Sequence, residues 1–281
     1  MSLSARGVWQ WPEGAHIARR TEELDNTVQI DTCARCHARR STLGDYHPGR
    51  PLLDTHRLAL IDTPLYWPDG QIRDEVYVYG SFIQSKMHQA GVVCSSCHNP
   101  HSNELIAKGN AVCGQCHTAA QYDTPSHHRH PAQSAGTACV ACHMPSQIYM
   151  GVDARRDHSM RIPRPDLSLS TGSPNACNQC HTEESADWAY SALLDWGVRF
   201  TGQRNHPARA FHAADRGDVR ATAVLLETAN NQANSALLRA SAISHLNSLI
   251  PARTASYLSL WLSSSDPLIR QAAVEAAGHL P

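Results

Sequence analysis

Every cysteine in the chain belongs to one repeated pattern. The ten form five Cys-x-x-Cys pairs, Cys33/Cys36, Cys94/Cys97, Cys113/Cys116, Cys139/Cys142 and Cys177/Cys180, and each pair is followed at once by a histidine: His37, His98, His117, His143 and His181. At the frequencies of 10 Cys and 18 His in 281 residues, about 0.02 such motifs would arise by chance. A zinc ribbon needs two Cys pairs per ion, which five pairs cannot supply evenly, and it gives no role to a histidine after every pair. A redox Cys-x-x-Cys occurs once, at the start of a helix.

Covalent haem accounts for every position. The two thiols add to the porphyrin vinyl groups and the adjacent imidazole reaches the iron from one face. The sequence therefore predicts five haem c groups, with the ten cysteines as attachment points and His37, His98, His117, His143 and His181 as proximal iron ligands. Porphyrin surface would stand in for a side-chain core, which suits a chain with only 3 Phe. Successive first cysteines lie 61, 19, 26 and 38 residues apart, so the second, third and fourth sites must be near neighbours.

The second axial ligand decides the chemistry. An iron with two imidazoles is saturated and suited to electron transfer, whereas one with a single imidazole is open to small molecules. Residues 1–181 hold nine histidines beyond the proximal five: His16, His47, His56, His88, His101, His127, His128, His130 and His158. His101 lies too close to His98 to serve the far face of the same haem and is expected to ligate a neighbour. The distal set read from this list is His56, His88, His101, His128 and His158, with His47, His127 and His130 as alternates. His16 and the four histidines after residue 181 are read as ordinary imidazoles. Met87 and Met144 rank below histidine, Met144 because it directly follows a proximal ligand. Arg73, Lys86, Arg155, Arg156 and Arg164 are candidates to neutralise haem propionates.

Between motifs the chain is rich in Gly, Pro, Ser and Asn, which reads as loops and short helices with little sheet. Residues Glu75 to Tyr79 alternate like a strand but run into a helical pattern from Gly80 to His88. After His181 no cysteine remains and Ala, Leu and Ser recur periodically. A helix is expected from a Thr182 cap to Trp196 with Gly197 as its stop, and later segments restart at Pro207, Asp218, Ser235, Pro251 and Asp266. Ser235–Leu246 superposes on Asp266–Ala277 at a spacing of 31 residues, placing Leu237 on Leu268, Leu238 on Ile269, Arg239 on Arg270 and Ile243 on Val274. The expected fold is mainly α with much irregular loop: a pentahaem c-type cytochrome domain over 1–182, then an α-helical repeat tail of HEAT-like or tetratricopeptide-like type over 183–281.

The stretch from Tyr77 to His101, with Gly109-Asn110, Cys139 to Pro145, Arg155 to His158 and Pro174 to Cys177, resembles the C-terminal haem region of large multihaem c-type cytochromes. These are related to the cytochrome c554 and multihaem nitrite reductase superfamily and end in helical repeats. The resemblance implies a periplasmic or extracellular electron carrier with closely stacked, mostly bis-histidine haems. It also implies that His88, His101, His158 and one of His127, His128 and His130 are distal ligands. Two features depart from that group: it usually carries an export signal and further upstream motifs, neither of which is seen here, and its nitrite reductases place lysine where every motif here has histidine.

Lys and Arg number 24 against 25 Asp and Glu, which gives no nucleic-acid surface, and no apolar run is long enough to span a membrane. Expected partners are redox proteins or other haem domains, with self-association or contact to an upstream haem-bearing region as further possibilities. The function read from the residues is electron transfer by a carrier with no catalytic residue. The alternative is an oxidoreductase that reduces a small nitrogen or sulfur oxyanion at one five-coordinate haem.

Overall fold

A computed structural model describes residues 7–22, 27–200 and 205–278; His279 and the first six residues lie outside them. Helices dominate. The longer ones are α1 (Thr27–His37), α2 (Pro165–Thr171), α3 (Ala186–Asp195), α4 (Pro207–Ala214), α5 (Thr222–Asn230), α6 (Ala236–Leu249), α7 (Leu258–Leu262) and α8 (Pro267–Ala277). The described strands form three two-stranded antiparallel ribbons: β1 (Trp9–Gln10) with β2 (Arg19–Arg20), β3 (Arg40–Thr42) with β4 (His56–Leu58), and β5 (Ser146–Tyr149) with β6 (Asp153–Arg156). No strand forms at Glu75–Tyr79, and the helical pattern after it divides into two single turns, Tyr79–Phe82 and Lys86–Gln89. Ser85 sits extended between these turns and caps the second by accepting the His88 N–H. No helix among the described residues is long and apolar enough to cross a membrane.

Caps fix the tail. Ser235 accepts the Leu238 N–H at the start of α6, and Asp266 accepts the Leu268 and Ile269 N–H groups at the start of α8, each satisfying donors that a helix leaves orphaned. The first helix after the last motif begins at Ser185, which accepts the Trp188 N–H, and not at Thr182, whose hydroxyl turns to Glu183. The 31-residue correspondence holds for the caps and for Leu237 and Leu268, which are both buried. It fails at Ile243, which is 0% exposed, against Val274, which is 60% exposed. Helix α6 packs between α5 and α8, whereas α8 has no later described helix to cover its outer face.

The apolar core of the tail continues into the segment around 30–93. Ile30, Leu52, Ile61, Tyr66 and Val76 share one buried cluster with Leu237, Ile243, Trp261 and Ile269. Ser241 on α6, fully buried, accepts the Ile61 N–H at 2.8 Å, and Gln271 on α8 donates to the Leu53 and His56 carbonyls at 3.0 Å. Apolar packing therefore does not break at residue 182. Gly80 permits this closeness, because a Cβ there would meet the Tyr66 hydroxyl at 2.0 Å.

Two outcomes follow from the packing and the caps. Ile243→Ala should lower the unfolding free energy by about 2–5 kcal/mol, while Val274→Ala should stay within about 0.5 kcal/mol of the parent, both read from urea unfolding. His206 caps α4 by accepting the Ala208 N–H; burial, reinforced by the Arg164 charge, takes its imidazole from 6.5 down to about 4. Between those values the unfolded chain binds a proton that the folded chain refuses, so stability falls as pH drops through the window and levels off below it. His206→Asn keeps a cap without titrating there and should remove that part of the pH dependence of the urea midpoint.

Candidate haem sites

Each motif ends in a tight turn or helix that holds two thiols and an imidazole together. Cys33 to His37 close α1, Cys94–Ser96 and Cys177–Gln179 form 3₁₀ turns, Ala111–Gly114 is a helical turn, and Cys139–His143 is helical. All ten cysteines are free thiols and partly or fully accessible. From Ser96 to Met144, across parts of three motifs, no residue is buried. Side chains that are at most half-buried gain little hydrophobic stabilisation, so this stretch leaves surface for an apolar body to cover, and a porphyrin has such a surface.

Consecutive motifs touch in chain order. The Cys33 and Cys94 thiols hydrogen-bond, which lowers Cys33 to about 7 and pushes Cys94 up. Cys113 and Cys139 form the same kind of pair, and Cys113 also feels the Cys97 charge. The Cys142 thiol is raised chiefly by burial and then by Cys180, and Cys177 by burial and then by Cys142. Polar bridges support these contacts. Gln115 donates to the Ser96 carbonyl at 3.4 Å. Asn110 accepts the Cys139 N–H at 2.9 Å and donates to the Thr137 carbonyl and the Asp123 carboxylate. Gln179 donates to the Ser146 carbonyl at 3.1 Å and accepts its N–H.

Three proximal rings face a second imidazole. His98 lies 6.3 Å from His158 at 31° between ring planes, His143 lies 6.1 Å from His127 at 17°, and His181 lies 6.1 Å from His130 at 38°. A ligating imidazole nitrogen sits about 2 Å from its metal and the ring centre about 1.1 Å further, so two rings on opposite sides of one ion have centres about 6.2 Å apart. The residues present fit haem iron on that count. Three of the rings are also oriented through Nδ1, His143 against the Arg161 carbonyl and His158 against the Arg156 carbonyl, each at 2.9 Å, and His130 against the His128 carbonyl, which leaves Nε2 for a metal. Burial holds His158, His127 and His117 below the ordinary imidazole value, hence neutral, the form that ligates.

The cluster after Pro125 resolves unevenly. Arg129 has a left-handed backbone, φ 58°, so the chain reverses between His127 and His130 and sends them to different neighbours. His128 instead has its Nδ1 against the His130 N–H. Gly136 makes room for the His130 ring, whose atoms a Cβ would meet at 2.3–2.8 Å. Trp188 in the first turn of α3 and Trp196 just past its end stand against His181 and His130 respectively. Sequence reasoning missed these tryptophans and Gly136, whose signal was one glycine among 16.

The other distal candidates are placed elsewhere. His88 packs edge-on against Phe82, with ring centres 5.3 Å apart. His56 is buried on β4, bonded through Nδ1 to Thr55 and tilted against Tyr46. His47, His101 and His16 are exposed. Among the described residues no imidazole is stacked on His37 or His117; His117 meets the edge of Tyr122 at 5.6 Å. Of the candidate propionate partners, Arg155 is held by Glu75 and Asp153 and Arg164 by Asp166. Arg73 lies over the Trp67 ring, Arg156 donates to the Met144 carbonyl, and Lys86 is exposed.

Repeated Cys-x-x-Cys-His motifs of this form are found in multihaem c-type cytochromes, and comparison with known proteins finds similarity to proteins of that class. The family of cytochrome c7 and related cytochrome c matches residues 100–182, which makes that segment cytochrome c7-like. The chain is similar to the multihaem cytochrome MtrA of Shewanella baltica (strain OS185), at 29% identity over 129 residues, 39% of this chain and 33% of that protein. It thus spans about a third of that relative's length. Among solved structures it is similar to the outer cell wall cytochrome OcwA, with a TM-score of 0.45 and 16% identity over 96% of this chain and 67% of that one.

Gly136→Ala should lower the thermal midpoint of the protein, at a cost of about 1–3 kcal/mol for forcing the His130 ring aside. Gly114→Ala, in a helical turn where a Cβ meets nothing within 4 Å, should leave it unchanged; thermal unfolding of the two variants checks the contrast.

Proposed function

We propose that the chain is an electron-transfer module holding five haem c groups, one at each motif, with the irons of His98, His143 and His181 closed by His158, His127 and His130. The observation that carries this reading is the 6.1–6.3 Å separation of those three ring pairs. The bound haems supply one-electron exchange between ferric and ferrous iron. The protein's part is to fix two neutral imidazoles per iron, which fills both axial positions and leaves substrate no place to bind. It also keeps consecutive sites in contact, through the Asn110, Gln115 and Gln179 bridges.

For the sites of His37 and His117 the second ligands are drawn from His56, His88 and His101. The tail from residue 183 is read as a short HEAT-like or tetratricopeptide-like array. It packs on the 30–93 segment, and its tryptophans wall the last site. Partners are redox proteins or further haem domains, including an upstream haem-bearing region or a second copy. Thioether formation needs haem delivered to reduced thiols outside the cytoplasm, which supports periplasmic or extracellular residence.

One observation favours a second reading for the first site. His37 is exposed, and beside Cys36 lies a groove of about 480 Å³ lined by Arg35, Arg39, Arg40 and Tyr77. An open iron there would suit a small nitrogen or sulfur oxyanion and make the protein a reductase.

Electron paramagnetic resonance of the oxidised holoprotein separates the readings. Five low-spin irons, unchanged by nitrite, hydroxylamine or carbon monoxide, are expected of the carrier; a high-spin iron that responds to them would establish the reductase. His127→Gln, His130→Gln and His158→Gln should each convert one iron to high spin, whereas His128→Gln should convert none.

A further inference from the structure

We propose that Asp62, Asp215 and His245, remote in sequence from every motif, form a binding site for a divalent first-row transition cation of the zinc type. Their ligand atoms, one from each residue, all lie within 4.8 Å of one another. His245 sits on α6, is 8% exposed and stacks on Phe211 with ring centres 4.8 Å apart. Its Nε2 lies 3.2 Å from the Ile61 carbonyl oxygen, which can only accept, so Nε2 carries the proton. In the neutral ring Nδ1 is then a bare lone pair, aimed at the Asp215 carboxylate.

That arrangement places two lone pairs face to face on the edge of a buried ring. The Nδ1 to Oδ1 separation is 3.7 Å, beyond a hydrogen bond. It suits two donors each about 2.0–2.2 Å from one ion. Both donors are oriented from behind, the imidazole by a backbone carbonyl and Asp215 through Oδ2, which accepts from the Thr63 hydroxyl at 2.9 Å. Outer partners of this kind accompany metal ligands. Asp62 is exposed, and its backbone is pinned by Leu65 and Tyr66, whose N–H groups donate to its carbonyl; its side chain can swing the remaining distance. The arginines nearby are engaged elsewhere: Arg57 pairs with Glu275, Arg39 donates to the Glu75 carbonyl and Arg40 to the Arg35 carbonyl.

One imidazole and two carboxylates select zinc, nickel or cobalt over calcium or magnesium, which take oxygen alone. Three protein ligands leave the remaining positions to water. The ion would join the 61–63 turn to α6 and the end of α4, beside the Ser241–Ile61 hydrogen bond. It would stabilise the docking of the tail, since an ion that binds only the folded form stabilises it.

Zinc binding to the holoprotein tests the assignment. Equilibrium dialysis with metal analysis counts zinc equivalents for the parent, Asp62→Asn, Asp215→Asn and, as a control for surface histidines, His16→Gln, exposed and remote from the three ligands. The parent and His16→Gln should share one tight equivalent that weakens at least about 10-fold in both Asp variants, and zinc should raise the thermal midpoint only where that equivalent is kept. Equal binding by the parent and both Asp variants, or no tight equivalent in the parent, would overturn the proposal. Asp62 and Asp215 are exposed, so both variants are expected to fold.

Discussion

Across the middle of the molecule the polypeptide does not supply its own interior. From Ser96 to Met144 no side chain is buried, yet the backbone there is turned with care, through the helical turns at Ala111–Gly114 and Cys139–His143 and the hydrogen bonds of Asn110. Such order without burial is expected when the apolar body belongs to something the chain attaches to, because conformational entropy lost in fixing each residue must be offset by surface removed from water. The conventional core is displaced to the two ends of the sequence, where residues 30–93 and the tail share one cluster. The tail and the 30–93 segment thus form one packed body beside the less densely packed middle.

The candidate sites were legible in the sequence for a simple reason: a motif for covalent haem attachment has fixed residue types at fixed spacing, and every cysteine of the chain falls in one. Helix starts marked by Ser235 and Asp266 were legible for the same reason, since a cap acts within three residues of itself. What depended on the path of the chain was not. His128 looked as good as His127 or His130 because adjacent histidines are equivalent until the backbone is known, and the left-handed turn at Arg129 is unusual for a residue with a side chain. Val274 matched Ile243 by alignment, but burial of a repeat position depends on whether another helix follows. Thr182 and Ser185 are both good caps, and only the later one has helical residues directly after it.

The first and third motifs differ in kind from the others. Their histidines, His37 and His117, meet no stacked imidazole among the described residues, while His98, His143 and His181 do. Both sites border irregular stretches: His117 bridges to Ile17 and its neighbour Thr118 bonds the His16 carbonyl, and the groove beside Cys36 is walled by arginines. His158, after β6, and His143, in its helix, each bond a backbone carbonyl through Nδ1, and each stands against a second imidazole. Pre-organisation follows local hydrogen bonding, site by site.

The contacts between consecutive motifs have a geometric consequence. Cys33 touches Cys94, Cys97 neighbours Cys113, Cys113 touches Cys139, and Cys142 neighbours Cys177 and Cys180. The motifs therefore follow one another in space as they do in the chain, although the segments between them cross over, with His158 returning to the second motif and His130 reaching ahead to the fifth. In an array of that kind length is an additive property: a motif joined at one end extends the row without disturbing the spacing of those already there. Loss of an interior motif would open a gap that no neighbour could close.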